Sequence, residues 1–123
     1  MEFVVKNYLH LADVTQWSCY QRFARVNGTT TIVATPIPPS HSRMIVEIRG
    51  VIYVDALASW QGLSLNIASK EDLTQFLPNL GNHLRTKLGD EHIIENYELF
   101  VVRGDKRDYY FVAQDCVIDK TLP

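Results

Sequence analysis

Cysteine is scarce in this chain: only Cys19 and Cys116 occur in 123 residues, with no second Cys or His near either at metal-ligand spacing. That usage argues against a disulfide framework and points to two reduced, buried thiols, a disulfide being the lesser alternative. Long apolar runs are missing too. The most hydrophobic stretch, VIYVDALASW from Val51 to Trp60, contains Asp55 and falls far short of the roughly 18 apolar residues of a membrane span. The opening MEFVVKNYLHLADV has Glu2 where an export signal carries basic charge, and Lys6, Asn7 and His10 break its apolar run. The expectation is a cytoplasmic protein that does not engage a membrane.

Neither sign of charge dominates. Twelve basic residues stand against fourteen acidic ones, for a formal net charge of −2. The basic residues are scattered as Arg22 and Arg25, Arg43 and Arg49, Arg85 and Lys87, then Arg103, Lys106 and Arg107, and none interleaves with aromatics the way a base-stacking platform would. A nucleic-acid surface needs clustered cations that displace counterions, so nucleic acid is not an expected partner. The four histidines, at 10, 41, 83 and 92, form no HxH or HExxH pattern. GLSLN at 62–66 is not a GxSxG elbow, and no Gly-rich phosphate loop is visible. No catalytic, cofactor-binding or metal-ligating residue is therefore assigned, and the chain leans away from being an enzyme. Asp55 and Asp115 are the acids that an apolar setting could tune; the simpler reading ends a strand at Asp55 and turns Asp115 to solvent. His83 and His92 are read as structural, on and just beyond the second helix.

What is present is ordinary globular composition, 46% hydrophobic and 21% charged, enough for one domain spanning 1–123 with its own core. Residues 2–11 read as a strand. Asp13 with Gln16 resembles a capping box, and Trp17, Tyr20 and Ala24 follow at helical spacing, which predicts a helix over 14–26 stopped by Asn27-Gly28. Asn27-Gly28-Thr29 also fits a glycosylation sequon, of no use in the cytosol, so a turn or helix stop explains it better. TTTIVAT at 29–35 predicts a strand, and PIPPSH at 36–41 an exposed loop, since prolines cannot donate to a ladder. Residues 43–54 form a long alternating strand in which Gly50 marks a bulge, a bend or a division in two. LSLNIA at 63–68 adds a short strand.

Ser69 with Glu71 and Asp72 starts the clearest helix, carried by Leu73, Phe76, Leu77, Leu80, Leu84 and Leu88, with a kink or restart at Pro78 and an end at Gly89. Residues 93–103 and 108–118 predict two strands joined by the turn Gly104-Asp105-Lys106-Arg107. Arg103-Gly104-Asp105 spells an adhesion tripeptide, but turn chemistry accounts for every residue in it. The predicted class is α+β, a mainly antiparallel sheet with two helices on one face, in the order β-α-β-β-β-α-β-β with a possible βαββ pseudo-repeat.

Three exposed features are candidates for protein contact: Ile37 and His41 in the proline loop, Trp60 beside Gly62, and Asp105, Lys106 and Arg107 at the hairpin tip. Pro36-x-x-Pro39 is read as a rigid loop rather than a docking peptide. In the second half, LSLNIASKEDLTQFLPNLGNHL resembles the first strand and helix, and YYFVAQDC the last strand, of a module of the vicinal oxygen chelate family. That resemblance implies paired βαβββ modules and a metal held by His or Glu on their first and last strands, whereas Ser64, Leu65 and Asn66 occupy the corresponding place here. The expected function is a small non-catalytic protein-binding domain of the immunity-protein, inhibitor, chaperone or adaptor type, with a homodimer also compatible. The alternative is a small-molecule-binding or enzymatic protein with a chelate-like fold, its pocket near Asp55 or His10.

Overall fold

The computed structural model describes residues 2–4, 9–10, 17–24, 28–36, 43–62 and 64–121. Its strands in chain order are β1 (Glu2–Val4), β2 (Leu9–His10), β3 (Trp17–Ala24), β4 (Thr29–Pro36), β5 (Arg43–Arg49), β6 (Tyr53–Asp55), β7 (Ser59–Gln61), β8 (Ser64–Ile67), β9 (Glu98–Arg103), β10 (Asp108–Ala113) and β11 (Asp115–Thr121). Helices α1 (Lys70–Phe76), α2 (Asn82–Leu88) and α3 (Asp90–Asn96) lie between β8 and β9, with a 3-10 turn over Leu77–Leu80. The strands form two antiparallel sheets, a six-stranded one in the order β1-β11-β5-β4-β3-β7 and a five-stranded one in the order β2-β8-β9-β10-β6. The class is α+β, and the helices do lie on one face, that of the five-stranded sheet. Among the described residues no helix is long and apolar enough to cross a membrane.

Alternation explains the layering. The six-stranded sheet turns Cys19, Ile32, Ala34, Met44, Val46, Ile48, Cys116 and Ile118 inward, where they meet Leu65, Phe100, Val102, Tyr109, Phe111 and Ala113 of the five-stranded sheet. The intervening positions of β9 and β10, Leu99, Val101, Tyr110 and Val112, point the other way and pack against Leu73, Leu77, Leu80, Ile93 and Tyr97. Both faces of β9 and β10 are thus covered, which is why ELFVV and DYYFVA read as continuous apolar runs. Each fully buried Leu, Ile, Val or Phe in these layers contributes about 1.5–3 kcal/mol.

The helix expected over 14–26 is a strand wherever it is described: Trp17–Ala24 pairs with Thr29–Pro36 in full register. Its burial has period two, with Cys19 buried between exposed Ser18 and Tyr20. The spacing of Trp17, Tyr20 and Ala24 mimics a helix, but the β-branched strand after Asn27-Gly28 supplies a ladder partner that outweighs it. The first half therefore contributes only strands among its described residues, and the βαββ pseudo-repeat is not seen; the second half keeps its strand, helices and strands. The strand expected over 2–11 is split, β1 pairing with β11 and β2 with β8.

Gly50 divides the 43–54 run, so β5 belongs to one sheet and β6 to the other. Pro78 lies at the start of the 3-10 turn, where its missing N–H costs nothing, and α1 restarts beyond it as α2. Ser69 caps α1, its hydroxyl accepting from the Asp72 N–H at 3.1 Å. The strand expected from Ile93 starts only at Glu98. Residues 90–96 instead form α3, with Asp90 and Glu91 in its first turn and Ile93 buried. His92 is accordingly an exposed residue of α3, and His83 an exposed residue of α2.

Candidate functional site

A cleft of about 440 Å³ opens where β7 meets the turn between β9 and β10, lined by Ser18, Leu57, Ser59, Trp60, Gln61, Asp105, Lys106 and Tyr109. The turn is held from several sides. The Gly104 N–H donates to the Arg107 carbonyl (3.0 Å), and the Asp105 N–H donates to the Gln61 carbonyl (2.8 Å), stitching the tip to β7. Gly104 is buried, and a side chain there would begin 2.8 Å from the Tyr109 ring and 3.2–3.3 Å from the Arg107 and Gln61 carbonyls. Glycine is required by that close approach.

Beneath the cleft, the Trp60 and Tyr109 rings stand 4.6 Å apart at 34°. Trp60 is only 7% exposed, and its Nε1 donates to the Gly62 carbonyl at 2.9 Å. Its ring is a core residue with an edge toward the cleft. Arg107 leans over Tyr109, 5.0 Å from the ring centroid, while its Nη2 meets Asp55 at 2.9 Å. Hydrogen bonding to Asp55 raises the Arg107 guanidinium further, and burial pushes the Tyr109 phenol up. Asp55 ends β6 and is spoken for by this pair. Asp115 is engaged likewise, with Arg49 Nε at 2.6 Å and Nη2 at 3.0 Å from its two oxygens.

Of the contact residues expected from the sequence, the fold brings Trp60, Asp105 and Lys106 around one cleft and sets Arg107 beside them. Ile37 and His41 lie outside the described residues. His10 and Asp55 sit on β2 and β6, opposite edges of the five-stranded sheet. Sequence reasoning missed Leu57, Ser18, Ser59 and Tyr109. Leu57, at 53% exposure, carries no periodic signal because it lies between β6 and β7. Tyr109 could have been found from its place next to the turn in an apolar run.

Other chemistry is limited. Burial pushes both thiols up to about 12, Cys19 at 2% and Cys116 at 0% exposure, and each is free of a disulfide. No three His, Cys, Asp or Glu side chains converge as a metal site among the described residues. In β8, Leu65 points into the core between the sheets, so that position offers no ligand. Among the described side chains, Arg22 and Arg49 share a sheet face with Glu47 and Asp115. Compared with known protein families, curated proteins and solved structures, the chain shows no match.

Proposed function

We propose that this chain is a small non-catalytic recognition domain that binds a protein partner through the cleft between β7 and the β9–β10 turn. The observation that carries the reading is the pinned turn: its charged tip, Asp105 to Arg107, is fixed to β7 by the Gln61 bond and by the fit of Gly104 under Tyr109. A contact surface that is rigid before binding loses little entropy on association. The exposed Leu57 and the Trp60 edge give an apolar centre, and Ser18, Ser59, Gln61, Asp105 and Lys106 a polar rim, the anatomy of a binding hot spot. Such a cleft suits one apolar or aromatic side chain of the partner, with an acidic neighbour set against Lys106. Immunity proteins, inhibitors and chaperone or adaptor domains all work by surface recognition of this kind.

Native mass spectrometry of the protein purified gently from its host tests the reading. The expected result is a second protein at fixed stoichiometry, lost when Lys106→Glu and Asp105→Lys are introduced while the circular dichroism spectrum is unchanged. A co-purifying protein indifferent to both substitutions would overturn the assignment to the cleft. A second reading has one observation in its favour: about 440 Å³ lies within the range of small-molecule sites, roughly 300–1,000 Å³. It expects a small non-protein mass in the same spectrum.

A further inference from the structure

The face of the six-stranded sheet that points away from the five-stranded sheet sets Tyr20, Val33, Ile45 and Val117 among polar residues. Cross-strand register sets its residues in rows. One row runs Tyr20, Val33, Ile45 across β3, β4 and β5. The next runs Arg22, Thr31, Glu47, Val117 across β3, β4, β5 and β11. The Gln21 N–H donates to the Ala58 carbonyl at 3.0 Å, carrying the β3–β7 pairing beyond Ser59 and setting Leu57 at the outer end of this second row. Tyr20, at 46%, and Leu57 are the exposed large hydrophobic residues among those described, and both belong to these rows.

Arg22 and Glu47 are exposed as well, with Thr31 between them. Two strand spacings, about 10 Å, separate their backbones, and among the described residues no ion pair joins them. Read from β7 to β11, the second row is apolar, basic, Thr, acidic, apolar. Its chemistry is symmetric about β4.

We propose that this face is a homodimer interface in which two copies pack sheet to sheet about a two-fold axis running along β4. Such an axis exchanges β3 with β5 and keeps every residue in its row. Arg22 of one copy then faces Glu47 of its partner, and Glu47 faces the partner's Arg22. Tyr20 lies over the partner's Ile45, Val33 and Thr31 meet themselves on the axis, and Leu57 lies toward the partner's β11 edge, where Val117 is already buried within its own chain. An isologous interface demands this self-complementarity, residue i on j and j on i. Aligned packing of twisted sheets, with strands within about 30° of each other, is a common geometry and accommodates the axis. Strands β3, β4, β5 and β11 are seven or eight residues long and β1 and β7 three. At about 4.8 Å spacing and about 3.3 Å per residue they present at most roughly 570 Å² of sheet per copy, below the roughly 800 Å² per partner of a standard interface, so the charge pattern rather than the area argues for the pairing. Ser18, Thr35 and the Arg49–Asp115 pair form a polar rim.

Sedimentation equilibrium of the full chain tests this. The wild type is expected to dimerise. Arg22→Glu and Glu47→Arg alone should each weaken the dimer by about tenfold or more, because like charges then face one another, and the double exchange should restore it. A Thr31→Cys variant should cross-link to its own copy with a short bifunctional maleimide, since packed sheets stand about 10 Å apart, beyond the reach of a disulfide. A monomer at every concentration, a dimer that neither reversal weakens, or a double exchange that fails to restore it would overturn the proposal. The two surfaces share Ser18 and Leu57, but the dimer does not rest on Asp105 or Lys106: Lys106→Glu and Asp105→Lys leave these rows intact and should not change the dimer, so each reading can fail without the other.

Discussion

Gly104 shows how one missing methyl group shapes the recognition cleft. Its neighbours are a ring already stacked on Trp60 and two main-chain carbonyls, none of which is a flexible chain end. Gly104→Ala should therefore destabilise the protein by about 1–3 kcal/mol in urea denaturation, since the turn must lift off β7 to make room. The thiols make a second prediction at this scale. Cys19 and Cys116 ionise in the folded protein only near 12, against 9.0 in an ordinary thiol. Between these values the unfolded chain has lost the protons that the folded one keeps, so stability is complete below pH 9 and falls as pH rises toward 12. Urea denaturation at pH 8 and pH 10 should differ by roughly 1–3 kcal/mol, and the difference should shrink in the double Cys→Ala variant.

Among the elements, Gly50 decides the division of strands between the sheets. It has φ +66°, a region that other residues enter only with strain, and the Gln114 side chain crowds the space where a Cβ would stand. The two corners are tied together, the Gln114 N–H donating to the Arg49 carbonyl at 3.0 Å and the Ile52 N–H to the Val112 carbonyl at 2.8 Å. Gly50→Ala should cost about 1–2 kcal/mol in thermal or urea unfolding, with Gln114 displaced. This corner was legible as an interior glycine in a strand pattern. So were the restart at Pro78 and the 104–107 turn, because backbone chemistry at Gly and Pro is local. The identity of β3 was not, because its partner strand overrides a weak helical spacing, and nothing within Trp17–Ala24 reports that partner. Residues 90–97 misled for a similar reason: Ile93, Ile94 and Tyr97 look strand-like, yet they pack on Leu73 and the five-stranded sheet as a helical turn. Within the cleft, Asp105 and Lys106 were visible as a charged tip. Leu57, Ser18 and Ser59 reach it only through sheet pairing.

At the scale of the whole molecule, the layers are unequal among the described residues: β9 and β10 of the five-stranded sheet pack on both faces, while the core of the six-stranded sheet lies on one. Translated from space into time, this asymmetry sets an order of opening. Amides of β9 and β10 should exchange hydrogen for deuterium last, at rates governed by global unfolding, while the β7 edge and α2 exchange earlier through local fluctuations. Mass-spectrometric exchange over minutes to hours would show that order, and early exchange in Leu99–Val102 or Tyr109–Val112 would contradict it. The consequence falls on the charged tip. Gly104 to Arg107 looks like a surface loop, yet both of its ends are continuous with the β9–β10 hairpin that should open last, so its position should be kept even when the sheet edge beside it opens.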